Sequence, residues 1–326
     1  MKSVSSIIFA GAVWIGVMPL QAANIMMDLM DRFNVITGAG HYHAGNETEG
    51  SALVLGTYSA SDRSRYGFND GQVANDSEYT LWLNNGVSNG SPTTLLTGSL
   101  ISRVPVNTSQ FTLNGNAPGT PGITTGETQW NSAFAGLSVA SANQLTSLLG
   151  LASQQWSQLS ANSVGSLPGN GSYTFTATPA TIDGHRVAIF NVSGDTLFAP
   201  NGGFDRLDLG LNGADTVLIN VSGTNLNIAK NFAGDFTNNE KKVLFNFYQA
   251  TTLTVDSNFR AGIFAPLANV TQLGKNFDGT VVAASLNQSA EIHHENFDGY
   301  LPFTIPEPST ALLAVAGLGF ALRRRR

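Results

Sequence analysis

The chain has 326 residues, with 22 acidic and 16 basic side chains, a formal net charge of −6 and no cysteine. The lack of cysteine excludes disulfides, iron–sulfur clusters, thiol nucleophiles and cysteine-based zinc sites. Only 12% of residues are charged while glycine numbers 35, a composition that fits an extracellular, strand-rich protein held by apolar burial and a hydrogen-bond ladder.

The N-terminus carries Lys2, an apolar run from Ile7 to Met18, a helix-breaking Pro19 and small residues at Ala22 and Ala23. This is the pattern of a Sec-type signal peptide over residues 1–23, cut by signal peptidase after Ala22 or Ala23. An uncleaved membrane anchor would need roughly 20 apolar residues, more than this run supplies. The following stretch, Met26 to Val35, is short and apolar and is expected to make a helical turn that caps the first coil.

FNVITGAG from Phe33, SALVLGTYSA from Ser51 and YTLWLN from Tyr79 read as strands, early rungs at irregular spacing. From Asn85 to Gly126 the chain is rich in Gly, Ser, Thr, Asn and Pro. A stretch of this kind is expected to be a surface excursion, with a hairpin over Thr93 to Val106 inside it. A helical segment follows over about 127–160. Trp130, Phe134, Leu137, Leu145, Leu148, Leu149, Trp156 and Leu159 recur there at three- and four-residue spacing, the mark of an amphipathic helix. Gly136 and the region of Gly150 divide it into two or three pieces. Its apolar face is expected to cover one sheet face or a coil end.

Strand patterns return over Ser172 to Phe198 and Leu207 to Thr224, and a repeat then emerges. Four copies of apolar strand, polar turn, second strand and Asn-Phe end at Phe232, Phe259, Phe277 and Phe297, at intervals of 27, 18 and 20 residues. No copy has enough apolar residues to close a core alone, so stacking copies must share one interior. Asparagine suits the corners because its side chain satisfies nearby backbone groups, and the phenylalanine after it is expected to point inward. The fold class expected is all-β: a parallel β-helix or solenoid, right-handed by the general rule for parallel crossovers, with a flanking α-helical segment. An antiparallel β-sandwich is the alternative. The mutual resemblance of the copies favours the solenoid.

The C-terminus reads PEPSTALLAVAGLGFALRRRR. The box Pro306, Glu307, Pro308 and Ser309, the apolar stretch Thr310 to Leu322 and the tail Arg323, Arg324, Arg325 and Arg326 resemble, in that order, the PEP-CTERM sorting signal of Gram-negative bacteria over 303–326. As a helix, 13 residues span about 20 Å against a hydrocarbon core of about 30 Å. This short transmembrane helix fits a transient processing handle better than a permanent tail anchor, with the arginines held at the cytoplasmic face. The resemblance implies processing by an exosortase, export across the inner membrane, and a destination at the cell surface, the outer membrane or the extracellular matrix. Between Asn24 and Pro308 lie all 22 acidic residues but only 11 basic ones, a net charge of −11 for the processed protein. Nucleic acid is therefore not an expected partner.

Over residues 24–302, FNVITG, the helix around Phe134 and Leu137, VAIFNVSG, TVLINVSG, AGIFAPLANV, GTVVAASL and AEIHHENFDGYLP look like the choice-of-anchor A domain. The resemblance implies a β-helical adhesive module. It brings no catalytic residues.

Several constellations bear on chemistry. His41 and His43 can face one way on a strand, and His293, His294 and Glu295 lie near the closing strand. A metal would need a further ligand that the sequence does not name. Asp205, Asp208 and Asp215, and separately Asp62, Asp70, Asp76 and Glu78, are oxygen-rich clusters in turns. Neither follows an EF-hand or a Gly-Gly-x-Gly-x-Asp repeat, so structural calcium stays an option and no cofactor is expected. Carboxylates are not expected to meet on adjacent rungs as a polysaccharide lyase or glycosidase requires. Thr174, Thr176 and Thr178 alternate, as do Thr252 and Thr254, but no continuous threonine row for ice binding extends to the other rungs. The expectation is a secreted, non-enzymatic adhesive or structural protein of the biofilm matrix, contacting exopolysaccharide or surface proteins, with a polysaccharide-active enzyme as the alternative.

Overall fold

The computed structural model describes residues 19–67, 79–88, 90–113, 122–167, 171–200 and 202–303. Apolar, β-branched runs such as TVLINVS at Thr216–Ser222 form strands because branched side chains pack well on a pleated surface. That strand is followed by Asn225–Ile228 and Asn231–Gly234 before the chain returns to Val243–Asn246, which pairs in parallel with Thr216–Ser222. Gly223, at φ +118, makes the first corner, where a side chain would be strained. Repetition of this path builds three walls of stacked strands. Among the described residues pairing is parallel except at two hairpin-like contacts, Val164–Ser166 with Ser172–Thr176 and Ala180–Ile182 with His185–Ser193. The antiparallel sandwich is thereby excluded.

The order of rungs departs from chain order. The first strand, Val35–Thr37, lies mid-stack, between Ala52–Val54 and the late strand Val281–Asn287. From it the chain moves outward through Ala52–Val54, Tyr79–Leu83, Ser99–Ser102 and Ile123–Thr125. It then re-enters at the opposite end and returns through His185–Ser193, Thr216–Ser222, Val243–Asn246 and Gly262–Gln272 until Val281–Asn287 docks on the starting strand. Between these excursions run the helices α2 (Glu127–Ala135) and α3 (Ala142–Ser157), with α1 (Pro19–Arg32) preceding the first strand.

The first wall is buried on both faces. Alternate residues such as Val217, Ile219, Val243, Phe245 and Ile263 fill the coil interior. Those between them, including Leu218, Leu244, Phe264, Val282 and Trp82, meet the helices in a second core. Strands covered on both sides therefore read as continuous apolar runs.

Several expectations need correction. Residues 85–126 are not an excursion: Thr93–Leu95, Ser99–Ser102, Phe111–Leu113 and Ile123–Thr125 are rungs paired in parallel with their neighbours. The two strands of the supposed hairpin at 93–106 belong to different sheets. Rungs of three or four residues containing threonine and serine are too short to show a period beside long polar connectors. The stretch from Met26 is part of α1, which lays Ile25, Met26, Leu29 and Met30 on the outer side of the first wall instead of capping a coil end. That helix begins at Pro19, a residue compatible with a first helical turn. Gly136 ends α2 as expected, but Gly150 lies inside α3. Of the repeat phenylalanines, Phe259 and Phe277 point into the coil interior and Phe232 packs at its margin, whereas Phe297 joins the helix-covered core. Asn258 Oδ1 accepts the Asn276 N–H at 3.1 Å, and Asn276 Oδ1 accepts the Glu291 N–H at 3.2 Å, so the repeat asparagines do brace successive corners.

Ala22 and Ala23 fall in α1, and nothing of their side chains is described. The box Pro306 to Ser309, the apolar stretch and Arg323 to Arg326 lie outside the described residues. Among the described residues no helix is long and apolar enough to cross a membrane.

Candidate functional site

The second wall faces solvent and its strands alternate, except that Ser59 is buried where it bonds His41 and His43. It runs from Asn225–Ile228 through Thr252–Val255, the C-terminal parts of Gly262–Gln272 and Val281–Asn287, then His41–Ala44 and Thr57–Ala60. Leu226, Leu253, Val270, Leu286, Tyr42 and Tyr58 point into the core. Their outward neighbours form two rows. One is Asn225, Thr252, Asn269 and Ser285, continued by His41 and Thr57. The other is Asn227, Thr254, Thr271, Asn287, His43 and Ser59. The threonine pair at 252 and 254 is not extended as a threonine row, as expected, but Asn, Thr, Ser and His continue it as a mixed polar row on five further strands. Register between rungs, invisible in residue identity, creates the row. By contrast, Thr174 and Thr176 are followed on the next rung by Asp208 and Gly210, and Thr178 lies beyond the strand.

With about 4.8 Å between strands and about 6.6 Å between alternate residues, six strands give a grid about 24 Å long and two residues deep. None of its twelve side chains is a carboxylate, lysine or arginine. Exposed Leu267 and Leu273 flank Asn269 and Thr271 along the same strand. The histidines are tied into the grid: His41 bonds Thr57 Oγ1 at 2.9 Å and Ser59 Oγ at 2.8 Å, and His43 bonds Ser59 Oγ at 2.9 Å. Burial, and then the neighbouring His43, lower the pKa of His41, which favours its uncharged form. His41 and His43 do face one way, and both ring nitrogens of His41 and Nδ1 of His43 are taken by hydroxyls.

The third wall carries a charge ladder. His293 Nδ1 meets Asp278 Oδ1 at 2.6 Å and its Nε2 meets Glu291 Oε2 at 3.2 Å. Arg260 lies 3.8 Å from Asp278 and 3.3 Å from Glu240. The bond to Asp278, opposed by burial and aided by Glu291, raises His293 to about 9. Two carboxylates on successive rungs are therefore brought together here, contrary to expectation. The His293 imidazole stands between them and bonds both. His294 instead receives a backbone contact, its N–H donating to Glu49 Oε2 at 2.9 Å, and Glu295 pairs with Lys241 at 3.5 Å.

The aspartates of the first turn cluster are dispersed. Asp208 lies on Arg206–Gly210, and Asp215 Oδ2 accepts the Arg186 N–H at 2.8 Å. Asp205 accepts the Asn231 N–H through its backbone carbonyl. Of the second cluster only Asp62 is described; Asp70, Asp76 and Glu78 lie outside the described residues. Among the described residues no group of three His, Cys, Asp or Glu side chains is placed to hold a metal ion.

The family described as "Putative Ice-binding-like adhesive domain" matches residues 27–294, and the PEP-CTERM protein-sorting motif matches residues 304–326. No curated protein matches the chain. Among solved structures, an ice binding protein from an Antarctic Biological Consortium is similar at 11% identity and TM-score 0.34, covering 90% of this chain and 100% of its own. A glycosylated ice-binding protein from an Arctic yeast is similar at 13% identity and TM-score 0.34, covering 87% of this chain and 96% of its own. An ice-binding protein domain of Shewanella frigidimarina has 13% identity and TM-score 0.30, covering 86% of this chain and 97% of its own.

Proposed function

We propose that this chain, which belongs to the ice-binding-like adhesive domain family, is a non-enzymatic adhesin of the cell surface or biofilm matrix that holds an uncharged, repeating polymer on its second wall. The two neutral rows carry the reading. Hydroxyls and amides at regular intervals suit a polysaccharide whose hydroxyl groups recur along its length, and Leu267 and Leu273 offer apolar contact to the ring faces. The sorting motif supports export and exosortase processing in a Gram-negative bacterium. Removal of the signal peptide before Asn24, a short membrane-spanning tail at 310–322 and the choice-of-anchor A resemblance belong to the same reading, as does a right-handed β-helix. The reading calls for no cofactor. Leu301 and Phe303, just before the sorting motif, pack in the helix-covered core beside the first wall.

The test is sedimentation of the processed protein with the producing cell's neutral exopolysaccharide, with reducing and unsaturated ends measured in the supernatant. Retention without new ends is expected, with binding weakened about tenfold or more, roughly 1.4 kcal/mol, by Thr254→Lys with Asn269→Lys. New ends would overturn the non-enzymatic reading, and undiminished retention of the variant would remove the second wall from the binding surface. The same two-dimensional grid also suits ordered water, and thermal hysteresis that the double variant abolishes would favour ice as the ligand.

A further inference from the structure

A cleft of about 430 Å³ opens between the first wall's corner and the α2–α3 connection, a volume within the range of small-ligand sites. Arg103 stands in its wall and is braced on one side. Its Nε donates to the Asn84 carbonyl at 3.1 Å and to Asn84 Oδ1 at 2.9 Å, and its Nη2 donates to Asn85 Oδ1 at 3.2 Å. Both asparagines are themselves anchored to the Leu55 carbonyl of the adjacent rung. The guanidinium is therefore braced by amides at Nε and Nη2, and Nη1 is left for an acidic group. Glu127, 71% exposed, approaches Nη1 at 3.6 Å, a distance longer than a charge-assisted hydrogen bond. Its carboxylate marks where an acceptor would sit. Glu127 opens α2, whose N-cap Gly126 supplies no side-chain cap, so the start of the helix adds positive potential at the same rim. Asn131, Asn143 and Ser141 line the cleft beside apolar Leu55 and Val139.

We propose that this cleft binds one carboxylate-bearing sugar ring, a hexuronate, by pairing its carboxylate with the Arg103 guanidinium in place of Glu127. A fork of parallel N–H donors matches a carboxylate, the amide and hydroxyl rim suits ring hydroxyls, and the volume accommodates a single ring. The site lies apart from the second wall and would let the protein contact an acidic polymer while its neutral grid contacts another. It does not depend on the reading of that grid.

The test is calorimetric titration of the full chain with sodium glucuronate, glucose and sodium acetate. Glucuronate is expected to bind measurably better than both. Glu127→Gln removes the internal competitor and should tighten glucuronate binding about threefold, in line with an exposed ion pair. Arg103→Lys keeps the charge but loses the fork and should weaken binding about tenfold. Equal response to glucose overturns the carboxylate assignment, and equal response to acetate overturns the sugar. Because Glu127 is exposed, its variant tests the site without risk to the fold. Unchanged or weaker binding in Glu127→Gln overturns the proposal whatever Arg103→Lys does.

Discussion

Asn246 donates its side-chain amide to Asn220 Oδ1 at 2.8 Å, joining adjacent rungs on the helix-covered side of the first wall. The ladder continues to the next rung at Asn191 and sideways to α3. Asn220 donates to Asn191 Oδ1 at 2.9 Å and to the Trp156 carbonyl at 2.8 Å, Asn246 donates to the Ser153 carbonyl at 2.8 Å, and Asn191 donates to the Leu159 carbonyl at 3.1 Å. Ser153 Oγ returns a bond to Asn246 Oδ1 at 2.6 Å. Apolar contacts such as Trp156 on Phe264, with ring centres 4.7 Å apart, hold α3 to the wall but are non-directional. The asparagines supply the direction, because a shifted helix would leave several buried polar atoms without partners.

Asn246→Ala should therefore destabilise the protein by about 2–4 kcal/mol, more than a single hydrogen bond contributes, since Ser153 and Asn220 are left with unpaired buried groups. Urea unfolding measures this. In a double-mutant cycle with Ser153→Ala the two losses should fall short of additivity by about 1 kcal/mol. Full additivity would show that the ladder is not a unit.

How much of this was legible in the sequence follows from where the signal lies. From Thr216 onward the first-wall strands carry apolar runs such as VLI, VLF, GIFAPLA and VVAA, and the parallel coil could be read from their return. Over residues 85–126 the rungs are shorter than the turns between them, and polar composition masked them. The pairing of Val35 with Val281 spans most of the chain and leaves no local trace. The polar outer face of the second wall was half legible. His41 with His43 and Thr252 with Thr254 alternate visibly, but their membership of one row depends on register across strands that use Asn, Ser, Thr and His interchangeably. The cleft at Arg103 left no pattern at all, because it is assembled from a corner, a helix start and a connection.

Stability should vary with pH in a way that two histidines set. The folded pKa of His293 is raised to about 9 from about 6.5 in the unfolded chain. Its contribution is fully present below pH 6.5 and is lost as pH rises through about 9. With a third of the side chain exposed, the loss is on the order of 2 kcal/mol after allowance for solvent screening. His41 is shifted down, mainly by burial, so its contribution is present above pH 6.5 and is lost as pH falls below that value. Unfolding midpoints should peak near pH 6.5 to 7. Asp278→Asn should flatten the alkaline limb and leave the acid limb in place. An unchanged alkaline limb would place its origin elsewhere.

Two glycines should respond oppositely to alanine because of where they stand relative to the closing contact between the first and last strands. A Cβ on Gly45 would lie 1.9 Å from the Gln288 carbonyl oxygen, while one on Gly150 would meet nothing within 4 Å. Gly150 sits inside α3, where alanine is favoured by about 0.5–1 kcal/mol. Gly150→Ala should accordingly raise the unfolding midpoint. Gly45→Ala forces backbone apart where a late coil docks on an early one, at a cost of about 1–3 kcal/mol from overpacking. Because Gln288 also holds Tyr42, its Oε1 accepting the phenol at 2.8 Å, the damage should centre on that closing contact. Hydrogen exchange would then show faster opening over residues 35–44 and 281–288 than in Thr216–Ser222. Uniform acceleration across all rungs would instead mean that the stack unfolds as one unit and that the closing contact is not its weakest point.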